Sequence, residues 1–364
     1  MQKNKKVVLG MSGGVDSSVA ALLLKKQKYE IIPIFLRSYP DESPYLDALC
    51  PFKEDKKMAR QVCNLLGLKL IELDYRSKYL KKIIEPMFSQ YKKNKTPNPD
   101  VSCNTIIKFP ALWRYAKSIN ADYIATGHYA RIKKTHKGFH LLQGKDKTKD
   151  QSYFLNELSQ LDLSHTLFPI GNLKKSQVRK IAKANKFPNW SKQSSRGICF
   201  IGKTNFKKFL QKKISNKQGL VMSPKKEIIG VHPGSFYFTI GERIGPSKGF
   251  IINKDYINKI KNKKLYIAKK LKNNIIIAPK NHPILLIKQI TIKKFHLINS
   301  KDFPKTNLKA RIRHLGKLLS GKLKKSKSEY IFIFTTPQKE ISSGQSIVLY
   351  KKDNLIAGGI ISTQ

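Results

Sequence analysis

The chain has 364 residues, 72 of them Lys or Arg against 23 Asp or Glu, for a formal net charge of +49. That length allows two or three domains with buried cores, and no apolar run approaches the roughly 18 to 20 residues that span a bilayer. Neither a membrane anchor nor a secretory leader is therefore expected, and the chain reads as cytoplasmic. The four cysteines, Cys50, Cys63, Cys103 and Cys199, lie far apart, which excludes a CxxC zinc pattern and a disulfide framework. The charge makes nucleic acid the first partner to consider. Lys, Asn and Ile are abundant throughout, however, as drift toward A and T in the coding sequence would itself produce.

In chain order, residues 7–9 read as a buried strand and 19–24 as the first turns of a helix. Between them runs Gly10 Met11 Ser12 Gly13 Gly14 Val15 Asp16 Ser17 Ser18. Adjacent glycines let the backbone turn sharply, and the first N–H groups of the following helix have no intrahelical partner. Together with the helix dipole they form a cradle for phosphate, to which Ser12, Ser17 and Ser18 add hydroxyls. The stretch lacks the Gly-Lys-Ser/Thr end of a Walker A loop and is not a GxGxxG fingerprint. Asp16 stands where a Walker loop has lysine, which favours handling pyrophosphate with Mg2+. Residues 12–17 resemble the PP-loop signature of ATP pyrophosphatases, which adenylate a substrate and release pyrophosphate.

Residues 31–36 and 69–73 read as further strands and 54–66 as a helix closed by Gly67, a β-α-β alternation that implies a doubly wound parallel sheet. A helix is expected over 77–93. In Thr96 Pro97 Asn98 Pro99 Asp100 Val101 Ser102 Cys103 Asn104, the two prolines exclude helix and present Asp100 and Cys103 rigidly ahead of a helix over 105–119. A thiol at a helix start ionises readily, while a lone cysteine there also occurs as an inert small residue. A strand over 123–126 ends in Gly127, which would let a nucleotide approach, and His128, suited to phosphate or base contact or to a structural role. Residues 149–155, Lys149 Asp150 Gln151 Ser152 Tyr153 Phe154 Leu155, mix charge, amide and aromatic as an RNA surface does. Residues 174–185 read as a basic, solvated helix. In 197–202, Cys199 lies between apolar residues and glycines, as either a buried strand or a reactive thiol on a mobile element.

Beyond about residue 205 short β-like runs take over, at 236–240, 264–268, 274–277, 285–292, 309–314, 330–334, 346–350 and 355–361. They imply a small β-module and then a β-barrel, with 322–327 as a solvated hairpin. The expected domains are 1–205, an α/β doubly wound parallel sheet with the PP-loop; 206–268, a small β-rich module; and 269–364, a C-terminal β-barrel.

Taken together, the PP-loop, residues 96–104, 123–129, 149–155 and 197–202, Ser343 Gly344 Gln345, and Gly358 Gly359 Ile360 resemble the tRNA-specific 2-thiouridylase family along nearly the whole chain. The resemblance implies that Gly10, Met11, Ser12, Gly13, Gly14, Val15, Asp16 and Ser17 hold ATP with Mg2+, and that Leu36 and Gly127 line the adenine side. It makes Cys103 the nucleophile and Cys199 the persulfide carrier. Asn98, Pro99 and Asp100 would meet the target base, Asp100 as a general base or an orienting group. His128, Lys149, Asp150, Gln151, Arg313, His314 and Gln345 would contact tRNA. ATP would adenylate the C2 oxygen of the wobble uridine, and sulfur from a persulfide donor or relay protein would replace it, leaving a Cys103 to Cys199 disulfide. Departures from the family pattern are Leu36 for Met, the stretch Phe35 Leu36 Arg37 Ser38 Tyr39, Ser194 for Asp, Glu242 and Ile244 for Gln and Lys, and His314 for Tyr. Two other readings are a PP-loop enzyme that adenylates tRNA without paired cysteines, as lysidine synthetases do, and a non-catalytic basic RNA-binding protein.

Overall fold

The computed structural model describes residues 4–38, 52–193, 206–261, 263–302, 308–326 and 329–363. The strands of the first half are β1 (Lys6–Gly10), β2 (Glu30–Arg37), β3 (Ile71–Asp74), β4 (Tyr123–Ala125), the hairpin β5 (Ala130–Thr135) and β6 (Gly138–Gln143), and β7 (Thr166–Leu167). Five of them make a sheet in the order β3-β2-β1-β4-β7, with every pairing parallel. β1 is central, and its Val7, Val8 and Leu9 are wholly buried, which is why this strand reads as an unbroken apolar run and does not alternate. The helices are α1 (Val15–Lys26), α2 (Phe52–Leu65), α3 (76–92), α4 (99–118), α5 (Gln160–Ser164) and α6 (Lys175–Ala184).

One expectation is corrected at α4. The stretch expected as a proline loop is helical from Pro99 onward, and Asn98 caps it by accepting the Val101 N–H at 3.4 Å. Proline lacks an N–H and has a fixed φ, and both suit the first turn of a helix, where the N–H has no intrahelical acceptor. Asp100 therefore sits inside the first turn and Cys103 directly after it, within the helix and not ahead of it. A π-helical turn, Cys103–Lys108, follows directly.

The middle strands are β8 (Gly219–Met222), β9 (Ile228–His232), β10 (Ile251–Ile252), β11 (Leu265–Leu271) and β12 (Asn274–Pro279), ordered β10-β9-β8-β12-β11. The boundary expected at 268 falls inside β11, and the pairing of β12 with β8 carries this sheet on to Pro279. The strand expected over 236–240 is instead a 3-10 turn at Ser235–Tyr237. Phe236, Tyr237 and Phe238 are all buried, which the alternation of a half-exposed strand does not permit.

The last strands, β13 (Ile287–Leu297), β14 (Leu308–Arg311), β15 (Leu319–Ser326), β16 (Glu329–Gln338), β17 (Ser346–Lys351) and β18 (Asn354–Ser362), run β13-β16-β15-β14-β17-β18. The ring closes because β18 also pairs with β13. Ile292, Phe332, Phe334, Ile347 and Leu349 fill it. The hairpin β5–β6 joins the barrel alongside β18, with Leu141 opposite Leu355 and Leu142 opposite Asn354. A hairpin of the first half is thereby paired by backbone to the barrel, and Val348, Tyr350 and Leu355 share a core with Phe109, Leu112 and Ile124.

Candidate active site

β1 ends at Gly10, and the chain turns into α1 over the carboxyl edge of the sheet. Met11 is buried, and its N–H donates to Ile34 O at 2.8 Å, so the loop begins as an extension of the sheet. Gly13 has φ +73, and a Cβ there would run into the Asp55 carbonyl of α2. Gly14 caps α1 with extended backbone and no side-chain cap. The N–H groups of that first turn are thus left for an outside acceptor, which fits a phosphate. At the same edge, beyond Leu36, the buried Ser38 Oγ has no hydrogen-bond partner among the described residues.

The serines behave differently from expectation. Ser17 Oγ donates to Gly14 O at 2.9 Å and accepts from Ser12 N at 3.2 Å. Ser18 Oγ donates to Gly14 O at 3.1 Å and accepts from Asn189 Nδ2 at 2.9 Å, while Asn189 also donates to Gly13 O at 3.0 Å. These hydroxyls tie the turn together, and Ser12 is the one left exposed. Gly127, expected to admit a nucleotide, has the loop itself as its neighbour. A Cβ on Gly127 would lie 2.7 Å from Ser17 N and 2.8 Å from Asp16 C.

Asp16 opens onto a residue that the sequence did not single out. Lys175, the first residue of α6, reaches both Asp16 oxygens with Nζ at 2.6 and 2.7 Å, and Tyr129 OH donates to Oδ1 at 2.7 Å. Burial draws the Lys175 ammonium below its ordinary pKa while Asp16 opposes the fall, and the Tyr129 hydroxyl is pushed up by burial and then by Asp16. Read as a solvated basic helix, this segment instead delivers a buried cation to the turn over residues 10–18. The only sequence signal was a lysine at a helix start, where a cation is out of place beside the helix dipole.

Cys103 is wholly buried in a cluster that also holds Tyr79, Ile83 and Phe88 of α3 and Phe209, Tyr237 and Phe238 of the middle unit. Its neighbour Asn104 donates to Phe154 O at 3.1 Å and accepts from Lys108 Nζ at 3.0 Å. Farther along α4, Leu112 packs 3.3 Å from where a Cβ on Gly10 would be. Cys103 lies nine positions before Leu112 in the same helix. Cys199, with residues 194–205, and Cys50 lie outside the described residues. Cys63 packs in α2, and burial pushes its thiol up to about 11, as fits a core residue.

Most of the residues expected at RNA are engaged within the protein. His128 is buried, with Nδ1 2.7 Å from Thr126 Oγ1 and its ring stacked on Phe109, and burial holds it well below the ordinary histidine pKa. Asp150 is wholly buried. It accepts from Gly144 N, Ser152 N and, at 2.7 Å, Arg311 Nη1. Gln151 Oε1 accepts from Tyr129 N at 3.0 Å, and Gln345 Nε2 donates to Thr96 O at 3.0 Å and Pro97 O at 3.3 Å. His314 packs against Phe154 with ring centroids 4.3 Å apart and tilted, and burial lowers it to about 4, so it is neutral near pH 7. Lys149 is half-buried, whereas Arg313 is exposed and pairs with Glu340. Asn98, Pro99 and Asp100 stay together at the start of α4. On α2, Lys53, Lys56, Lys57 and Arg60 share one face with Arg37 nearby, giving the carboxyl edge a basic flank.

Residues 5–203 match the family described as tRNA methyl transferase HUP domain, 207–279 the tRNA methyl transferase PRC-barrel domain, and 287–361 the aminomethyltransferase beta-barrel domain. The chain is 39% identical to tRNA-specific 2-thiouridylase MnmA 1 of Geobacillus kaustophilus (strain HTA426), over 99% of this chain and 96% of that one. It is 38% identical to tRNA-specific 2-thiouridylase MnmA 2 of Aliarcobacter butzleri (strain RM4018), over 100% and 99%. With tRNA-specific 2-thiouridylase MnmA of Francisella tularensis subsp. novicida (strain U112) the identity is 37%, over 99% of each. No helix among the described residues is long and apolar enough to cross a membrane.

Proposed function

The chain belongs to the tRNA-specific 2-thiouridylases, enzymes of ATP-dependent uridine thiolation in tRNA, and we propose that residues 10–17 and the start of α4 are the two halves of its reaction centre. The observation that carries this reading is their shared position. Residues 10–17 leave the carboxyl end of β1, where such folds bind ligands, and α4 packs against that same end through Leu112 beside Gly10.

In the nucleotide half, the uncapped first turn of α1 receives the phosphates of ATP, and the Lys175 ammonium offsets charge as pyrophosphate departs. Mg2+, when bound with ATP, supplies further neutralisation, and Asp16 is the carboxylate that would hold it, releasing Lys175 toward the phosphates. Gly127 keeps β4 close against the loop, and Leu36 with Ser38 flanks the space beyond β2.

In the thiol half, Asn98 and Asp100 orient the wobble uridine beside Cys103. Once C2 carries an O-adenylate, the terminal sulfur of a persulfide on Cys199 attacks C2 and AMP leaves. The Cys103 thiolate then attacks the Cys199 Sγ, so that the S–S bond to the base breaks, C2 keeps its sulfur and a Cys103 to Cys199 disulfide forms. Disulfide formation requires Cα atoms within about 7 Å, so Cys199 must reach the start of α4. A persulfide-bearing protein supplies the sulfur, and a cycle that starts from reduced thiols fits a cytoplasmic enzyme.

Nucleoside mass analysis tests this function directly, with unmodified tRNA, the purified protein, ATP, Mg2+ and a sulfide source. ATP-dependent 2-thiouridine at the wobble position is the expected product. Pyrophosphate release without thiolation would instead indicate a PP-loop enzyme that adenylates tRNA for another acceptor.

A further inference from the structure

Residues 96–99 carry two prolines and so lack two backbone donors, and the carbonyls of Thr96 and Pro97 precede the first turn of α4. Their hydrogen bonds must come from elsewhere. They come from the barrel. Gln345 Nε2 donates to Thr96 O at 3.0 Å and to Pro97 O at 3.3 Å, and Thr96 N donates to Ser343 O at 2.8 Å. Gly344, between them, has φ +94, and a Cβ there would lie 3.0 Å from both Thr96 N and Thr96 O.

A second brace runs through the segment that follows Asp150. Arg311 of β14 holds the buried Asp150 carboxylate, and Ser152 Oγ and the Tyr350 hydroxyl lie 3.1 Å apart. Tyr153 OH donates to Ser346 O at 2.8 Å, and the next residue, Phe154, accepts from Asn104 beside Cys103. One line of barrel contact thus ends on Thr96 and Pro97, ahead of the helix that carries the thiol, and the other on Asn104 next to it.

We propose that Gln345 and Arg311 are positioning residues for the thiol half, and that the barrel fixes the loop over 96–100 and the burial of Cys103. This rests on the reading of Cys103 as the reacting thiol. It assigns to Gln345 and Asp150 an action on the protein's own catalytic loop, where the family resemblance suggests contact with RNA. Arg311 was not singled out by the sequence.

The test uses full-length Gln345→Leu, which removes both donors at similar volume, and Gly344→Ala, which pushes on Thr96 from the other side. Iodoacetamide labelling of Cys103 is followed by peptide mass spectrometry in the absence of substrates, beside kcat and KM for thiolation, tRNA affinity by filter binding, and thermal unfolding. Cys103 labelling is expected to speed up roughly fivefold or more in both variants as the loop opens. Thiolation kcat is expected to fall roughly tenfold, with tRNA affinity and the KM for ATP within about twofold of wild type. Unchanged Cys103 labelling overturns the proposal, and so does a Gln345→Leu variant that loses tRNA affinity at constant kcat. A circular-dichroism spectrum unlike wild type for one variant leaves the decision to the other. Should the thiol reading itself be in error, Cys103→Ser would still thiolate tRNA, whereas the labelling result would stand by itself.

Discussion

Residues 10–18 close on themselves. Ser17 and Ser18 both donate to Gly14 O, Asn189 holds Gly13 O, and Gly127 and α2 press the turn from either side, all within the first unit. Residues 96–104 are held from three directions instead, by α3, by the aromatic core of the middle unit and by the barrel turn around Gln345. A phosphate cradle needs only backbone N–H groups aimed one way, and a short stretch of glycine and serine can supply them. A thiol that must meet a base and a second cysteine needs its surroundings set by distant chain. The nucleotide half should therefore fail locally when altered, whereas the thiol half should fail through substitutions far away in sequence.

The largest effect expected is that of Cys103→Ser, which should lower thiolation by at least about 10³-fold as measured by 2-thiouridine formation. Next comes Lys175→Met. Removing this buried cation at the loop should slow tRNA-dependent pyrophosphate release by roughly 10²-fold. If the two halves are as separate as their contacts imply, this variant leaves iodoacetamide labelling of Cys103 unchanged, and faster labelling would break the comparison.

For the barrel brace, Arg311→Met leaves the Asp150 carboxylate buried with its cation gone, at a cost of about 3–5 kcal/mol in denaturant unfolding. The double variant Arg311→Met with Asp150→Leu should recover much of that loss, because no unpaired charge then remains. A double variant no more stable than the single one would mean that the pair is not acting as a unit.

A smaller effect is expected from acid. Burial lowers His232 and His314 to about 4, and His128 is also well below its ordinary value. Each binds a proton more readily when unfolded, near pH 6.5, than when folded. Stability should therefore be undiminished above about pH 6.5 and fall as pH drops from there toward 4, by on the order of 1–3 kcal/mol for each of His232 and His314, with His128 acting in the same direction. His232→Gln should flatten part of that slope in pH-dependent thermal unfolding, and an unaltered slope would remove His232 from the account.

The turn over residues 10–18 was legible because its geometry follows from local sequence. Glycines at a strand end and hydroxyls at a helix start announce a phosphate turn wherever they occur. Lys175 escaped because a lysine in a basic helix is ordinarily solvated, and nothing in its neighbours reports that Asp16, 159 residues away, will bury it. The first turn of α4 was misread because proline was weighed as a helix breaker, when at Pro99 its missing N–H costs nothing. The hairpin β5–β6 went unread between Tyr129 and Lys149, since Arg131, Lys133 and Lys134 give it a polar look and only pairing with β18 explains it. The roles of Asp150 and Gln345 likewise depend on partners 161 and 249 residues distant.

The most direct measurement is single-turnover pyrophosphate release by Cys103→Ser with unmodified tRNA, ATP and Mg2+, beside nucleoside mass analysis of the same reaction. Two separable halves require release close to the wild-type rate with no 2-thiouridine formed. Release that disappears together with thiolation would contradict the division of the site into a nucleotide half and a thiol half.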